Sequence, residues 1–241
     1  FFFKQKTAYE IVSRDWSSDV CSSDLVRLVD YLKCLPVDLL SIDKIEADDV
    51  IGYITGQLKD HVYIMSSDKD YLQLVSEKVT VYSPIKKKFY TPKMIKEEYD
   101  LHPCNFLTQK ILLGDTSDNV PGVKGIGLKT LIKLFPILKE DTKLSIEDII
   151  SESEGKKGKY ENIYNFRNQL RINKQLMDLE SPNVPIADKI TIEEVLEHPR
   201  DVLDKQTFLH YYNEDYLQNS IPNVAMWIHD TFKDLCHYKL K

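Results

Sequence analysis

The feature that most limits what this chain can fold into is the run Gly114-Asp115-Thr116-Ser117-Asp118-Asn119-Val120-Pro121-Gly122-Val123-Lys124-Gly125-Ile126-Gly127. Two acids stand directly before a turn with three glycines, and the flanks are periodic. Ahead of it, Asn105 to Leu113 carries Phe106, Ile111, Leu112 and Leu113 and reads as a helix closed by Gly114. Behind it, Leu128, Leu131, Ile132 and Phe135 fall at i, i+3, i+4 and i+7, one apolar stripe of a second helix stopped by Pro136. Helix, hairpin and helix follow in order. Lys124 sits at the hairpin tip, and Lys129 and Lys133 stand one turn apart on the polar side of the second helix. Lysines beside glycine-freed backbone amides suit phosphate. The spacing G-x-x-G-x-G fits neither the dinucleotide fingerprint nor the nucleotide phosphate loop, so a phosphodiester backbone is the better match, beside the plainer reading of a tight turn between two packed helices.

Two further acidic blocks precede this run: Ile45-Glu46-Ala47-Asp48-Asp49 and Ser66-Ser67-Asp68-Lys69-Asp70. Each has an ordinary explanation. Acids in a first helical turn are favoured by the macrodipole, and Ser-Ser-Asp-Lys-Asp is good turn chemistry. On a regular helix Glu46 and Asp48 point about 200° apart, so both reach one ion only if Glu46 occupies the non-helical cap. Asp68 and Asp70 share a side in extended geometry, and Asp115 and Asp118 would face one point if they lie a helical turn apart. Oxygen donors without histidine or cysteine favour Mg²⁺ or Mn²⁺ over zinc. Two such ions would serve phosphodiester hydrolysis.

In this order and spacing the three blocks resemble the 5′-to-3′ exonuclease and flap endonuclease family, with the phage ribonuclease H-like type the nearest in character. The resemblance implies an α/β fold: a partial parallel sheet with flanking helices (a PIN-like 5′ nuclease core), then the helix–hairpin–helix and a mostly helical C-terminal region. It implies Glu46, Asp48 and Asp49 near a first metal, and Asp68, Asp70, Asp115 and Asp118 at a second, with Asp48, Asp68, Asp70 and Asp118 as the catalytic core. Gly122, Lys124, Gly125, Gly127, Lys129 and Thr130 would meet duplex DNA, with K⁺ held by hairpin carbonyls. The implied activity is removal of flaps or RNA primers from branched or nicked duplexes during replication. Two Mg²⁺ or Mn²⁺ ions, a single-strand binding protein or clamp as partner, a monomeric state and a cytoplasmic, phage-infected setting complete that picture. A non-catalytic helix–hairpin–helix DNA-binding module is the alternative. A ribonuclease sharing only the acidic sheet edge would not need the hairpin.

The net charge of −6 at first opposes a nucleic-acid partner. Seven of the acids belong to the three blocks, and removing seven negative charges from −6 leaves +1. Cys21, Cys34, Cys104 and Cys236 show no C-x-x-C spacing, so neither a disulfide framework nor a zinc site is expected. No run of 18 apolar residues marks a membrane span.

Residues 1 to 25 do not read like the rest and resemble translated sequencing-adapter read-through. On that reading Val26 begins inside a gene product and lacks a front portion, which in the family carries further first-metal aspartates. The expected organisation is then 26–100 for the C-terminal part of the α/β domain, 101–150 for the helix–hairpin–helix and 151–241 for a helical region. Within the first of these, strands are expected at Val37–Ile42, His61–Met65 and Val79–Tyr82, alternating with helices at 47–58 and 68–75. Lys86-Lys87-Lys88 reads as a solvated loop, and Ser151 to Lys159 as a flexible surface loop. Tyr211, Tyr212 and Trp227 read as core.

Overall fold

A computed structural model describes residues 22–198 and 202–235. Cys21, Cys236 and most of the segment read as adapter-like lie outside the described residues. The chain divides into two compact units, one of residues up to Ile51 together with Val184 onward, the other Gly52–Asn183.

In the larger unit, β1 (Val62–Met65) pairs in parallel with β2 (Val79–Ser83), with Val62 opposite Val79 and Met65 opposite Tyr82. A 3₁₀ turn over Lys69–Leu74 connects them, its four buried residues Tyr71 to Leu74 facing the core. β3 (Lys88–Tyr90) then folds back antiparallel on β2, with Val81 opposite Tyr90. The lysine run is therefore not a plain loop. Lys86 and Lys87 lie in the tight hairpin turn, Lys87 with φ of 50°, while Lys88 opens the strand. Lys86 donates to the Tyr90 hydroxyl at 3.0 Å and Lys88 pairs with Glu98. α3 (Pro92–Tyr99) follows, with proline at its first position, where the lost N–H costs nothing.

α4 (Phe106–Leu113) and α5 (Leu128–Leu134) are the two helices around the glycine turn. α6 (Ile146–Ser153), α7 (Lys159–Asn165) and α8 (Arg167–Met177) pack beside them. Ile111 and Leu112 of α4 meet Leu131, Phe135, Ile149, Ile163 and Leu170 in one apolar cluster. Each such fully buried side chain contributes about 1.5–3 kcal/mol. α6 runs through part of the stretch expected to be loop, because Ser145 and Asp148 form a reciprocal capping box and Ile146, Ile149 and Ile150 point inward. Only Glu154 to Gly158 separate it from α7.

Two buried amides tie the helices together. Asn105 donates to the Leu138 and Thr142 carbonyls and accepts from the Leu144 amide at 2.8 Å. Asn173 donates to Ile111 O at 3.0 Å and to Pro121 O at 2.8 Å, which fastens the hairpin to α4. The hairpin closes by backbone contact: a Cβ on Gly122 would stand 1.9 Å from the Leu113 carbonyl oxygen, and one on Gly114 would stand 2.4 Å from the Gly122 nitrogen.

The smaller unit contains α1 (Ser22–Lys33), the start of α2 (Ala47–Gln57), α9 (Ile186–Glu197), α10 (Lys205–Glu214) and α11 (Val224–Phe232). Leu32, Leu35, Phe208, Tyr212 and Ile228 form its core. Arg27 pairs with Glu214 and Asp215 and lies over the Tyr211 ring, and the Tyr31 hydroxyl donates to Asp215 at 2.7 Å. Two expectations fail here. Val37–Ile42 forms no strand: no strand runs beside it among the described residues, and Val37 and Leu39 instead pack against the helical cluster. Trp227 is 39% exposed, so it is not core, whereas Tyr212 is buried.

If the hairpin closes by backbone contact at Gly122, Gly122→Ala should lower stability by about 1–3 kcal/mol in urea unfolding. Gly127→Ala, where an added Cβ meets nothing within 4 Å and φ is −113°, should stay within about 0.5 kcal/mol of the parent. Equal effects of the two changes would show that the close approach is not a constraint.

Candidate metal centre and nucleic-acid interface

β1 ends at Met65, and Ser66, whose amide donates to Tyr82 O at 3.0 Å, continues its course. Asp68 then caps the 3₁₀ turn, its carboxylate accepting the Asp70 amide at 2.9 Å. This cap turns Asp70 back toward α4, where Lys110 makes an ion pair with it. Lys110 also stands 3.3 Å from Asp115. The lysine is 8% exposed, the one charged residue in the otherwise apolar and polar-neutral sequence of α4.

Asp115 and Asp118 reach this point by a route other than the expected helical turn. Residues 116–119 form a turn, and Asp115 and Val120 exchange two backbone hydrogen bonds of 2.8 Å across it. Asn119 takes φ of 56°, a conformation that asparagine tolerates. The Ser117 amide donates to Asp115 Oδ1 at 2.9 Å and the Ser117 hydroxyl donates to the same oxygen, so the carboxylate is held in one direction. The result is a group of three: carboxylate oxygens of Asp70, Asp115 and Asp118 lie within 4.8 Å of one another. Asp68, the cap of the 3₁₀ turn, is not one of the three.

The electrostatics follow from that packing. Burial pushes the Asp70 carboxyl up, by more than the Lys110 ammonium brings it down, and Asp68 adds to the rise. Burial acts on Asp115 in the same sense, but there the Ser117 hydrogen bonds and Lys110 win and hold it below the usual carboxylate range. The trio thus already needs positive charge, which Lys110 supplies in part. An all-oxygen donor set beside a resident ammonium fits a hard divalent cation.

In the smaller unit Glu46 takes the cap position that the first block requires, yet Glu46, Asp48 and Asp49 do not form a group of ligand atoms within 4.8 Å of one another. α2 begins at Ala47, and the Glu46 carbonyl accepts from the Asp49 amide at 3.1 Å and the Val50 amide at 3.3 Å, which places Glu46 at the cap. Asp48 is buried, and Asp49 is pushed up by burial and by the charges of Glu46 and Asp48. The block is preceded by a segment outside the strands of the described residues, not by the expected strand.

Around the hairpin, Lys124, Lys129 and Lys133 are exposed, and Gly125, with φ of 77°, and Gly127 leave open space. Gly122 packs against the Leu113 backbone and is only partly exposed. α7 supports the tip: Asn162 donates to the Lys124 carbonyl and Lys159 to the Thr130 hydroxyl, both at 3.3 Å. Lys159 therefore joins the basic set, a residue read from sequence only as part of a loop. Lys110 was also missed, although a single charge in an apolar helix five residues before Asp115 is a readable signal.

Comparison with known proteins identifies the family. The family model for the 5′-3′ exonuclease N-terminal resolvase-like domain matches residues 12–100, and that for the 5′-3′ exonuclease C-terminal SAM fold matches residues 101–201. The chain belongs to the 5′-3′ exonuclease family. It is 39% identical over 162 residues to DNA polymerase I of Bacillus subtilis, covering 64% of this chain and 18% of the polymerase. It is 36% identical over 126 residues to a 5′-3′ exonuclease of Buchnera aphidicola, covering 51% of this chain and 44% of that one. Among solved structures, the flap endonuclease of bacteriophage T5, in a pseudo-enzyme-product complex with DNA and metal ions, is 28% identical with a TM-score of 0.50, covering 72% of this chain and 62% of the T5 chain. This exonuclease-family chain thus spans less than half the length of the two curated relatives.

If Lys110 is the resident countercharge, Lys110→Met should destabilise the chain by roughly 1–3 kcal/mol in chelator, because Asp70 and Asp115 lose their partner. Added Mn²⁺ should then stabilise the variant more than the parent. Urea melts with and without Mn²⁺ measure both; an equal Mn²⁺ effect on the two proteins would contradict the assignment.

Proposed function

We propose that this chain acts as a metal-dependent 5′ nuclease, hydrolysing phosphodiester bonds at 5′ ends or flaps of branched or nicked duplexes, RNA-primed DNA included. The observation that carries this reading is the convergence of Asp70, Asp115 and Asp118 within 4.8 Å, in the same unit as a hairpin with exposed lysines. Family membership supports it, and so do the metal ions and DNA in the T5 complex.

Asp68, Asp70, Asp115 and Asp118 would hold one divalent ion, Mg²⁺ or Mn²⁺; Glu46, Asp48 and Asp49 would serve another, although their carboxylates are not gathered within 4.8 Å of one another as the trio's are. When bound, such ions supply positive charge that activates water and offsets charge building on the phosphate oxygens. The protein's own part is positioning. Ser117 fixes the direction of Asp115, the Asp68 cap aims Asp70, and Lys110 keeps both carboxylates close in spite of their repulsion. Lys124 and Lys129 would grip duplex phosphates at the open face of Gly125 and Gly127, where K⁺ against the hairpin carbonyls is part of the same proposal. Replication proteins as partners and a cytoplasmic setting belong to it as well.

A labelled 5′-flap duplex tests the reading. Cleavage near the junction is expected with Mg²⁺ and not with chelator, and Asp118→Asn should reduce it by at least the ~10–100-fold that even an outer metal partner costs. Retention of the duplex without any cutting would favour the non-catalytic DNA-binding module. Lys124→Ala and Lys129→Ala should each weaken duplex binding without sequence preference and lower the slope of log K against log salt by about 0.9. An unchanged salt slope in both would remove the hairpin from the interface.

A further inference from the structure

A second cluster of ligand-type side chains lies apart from the acidic trio, at the base of the helix–hairpin–helix. His102 precedes a 3₁₀ turn over Pro103–Asn105 and its amide donates to the Leu138 carbonyl at 2.8 Å. Its Nδ1 accepts from the Cys104 amide at 3.4 Å and stands 3.0 Å from Cys104 Sγ. The donation from the amide makes Nδ1 the unprotonated nitrogen. Nε2 then carries the proton and faces Asp141 Oδ1 at 3.4 Å. A ring nitrogen of His102, the Cys104 sulfur and a carboxylate oxygen of Asp141 all lie within 4.8 Å of one another.

This arrangement has the order nucleophile, base, carboxylate, but its electrostatics do not suit a nucleophile. Burial lowers His102 and raises Cys104, so a neutral imidazole faces a neutral thiol. The placing of the donor atoms, by contrast, suits a cation. A ring nitrogen, a sulfur and a carboxylate oxygen gathered within 4.8 Å are the donor types of a transition-metal site. With Zn–N near 2.0–2.1 Å and Zn–S near 2.3 Å, a tetrahedral site needs nitrogen and sulfur about 3.6 Å apart. The observed pair has to open by only about half an ångström. Asp141, with its side chain 87% exposed, has room to turn from Nε2 onto the ion. His102, Cys104 and Asp141 also line a cleft of about 410 Å³ shared with Thr55, Glu77 and Glu180.

We propose that His102, Cys104 and Asp141 form a binding site for a borderline-soft divalent cation, Zn²⁺ by its chemistry, with the remaining coordination position open to the cleft. Imidazole and thiolate select this class of ion, whereas the all-oxygen trio selects hard ions, so the two centres are chemically distinct. The site would link the segment entering α4 to the segment leaving α5. Binding would therefore stiffen both ends of the helix–hairpin–helix at once.

Co²⁺ is the probe, because thiolate ligation gives a near-ultraviolet charge-transfer band that carboxylates cannot produce. Titration of the metal-stripped full chain in excess Mg²⁺ should produce that band with a one-equivalent end point, and Zn²⁺ should bleach it. Cys104→Ser should lose the band, His102→Gln should weaken Co²⁺ binding by about tenfold or more, and Asp70→Asn should leave it unchanged. Zn²⁺ should raise the melting temperature of the parent and not that of Cys104→Ser. No band in the parent, or a band that survives Cys104→Ser, overturns the proposal. Should Cys104→Ser fail to fold by circular dichroism, His102→Gln decides: full-strength Co²⁺ binding in that variant overturns the site equally.

Discussion

The contact between the Gly122 backbone and the Leu113 carbonyl is the constraint on which the larger unit depends. α4 must stop at Leu113, and the chain must come back to that same point nine residues later. Only a position without a Cβ permits the return, because a methyl group there would overlap the carbonyl oxygen. The intervening residues have little choice of path: Asp115 and Val120 pair across a four-residue turn, and Asn173 locks Pro121 and Ile111 to the same side chain. Fold and chemistry meet here. The turn that allows the two helices to pack also carries Asp115 and Asp118 to Asp70.

Bringing those carboxylates together opposes folding unless positive charge is present. Lys110 meets part of that need from within α4, and its burial is tolerable because it has two acidic partners. Asp70 shows that the compensation is incomplete, since burial still raises it, while Asp115 is held ionised by Ser117 as well. A centre in this condition is prepared for further cationic charge. The protein stabilises the arrangement in advance, and on the proposed reading a metal ion would remove the remaining imbalance.

Much of this was legible in local pattern and much was not, for identifiable reasons. The stripes of α4 and α5 and the glycine turn could be read because each is encoded within a dozen residues. So could the cap position of Glu46, as a condition. Val37–Ile42 has the apolar run of a strand, but pairing depends on a neighbour that the run itself does not specify. β3 was hidden because the lysine run that ends in Lys88 masks the strand character that Phe89 and Tyr90 would otherwise show. The stretch from Ser151 was read as loop from its charge, yet the capping box at Ser145 had already set a helix running through Ser153. The acids converge by a turn and not by helical spacing, so the i, i+3 argument arrived at the right neighbours by the wrong geometry. Lys110 lay outside any motif, and only the fold shows that its ammonium sits between two acids.

The most direct test of the central claim is anomalous scattering from a crystal of this chain soaked in Mn²⁺. The account predicts a peak among the Asp70, Asp115 and Asp118 carboxylates, with the Lys110 ammonium moved away from at least one of its two partners. Crystals that bind Mn²⁺ elsewhere but show no peak at the trio, with Lys110 still bridging Asp70 and Asp115, would contradict it.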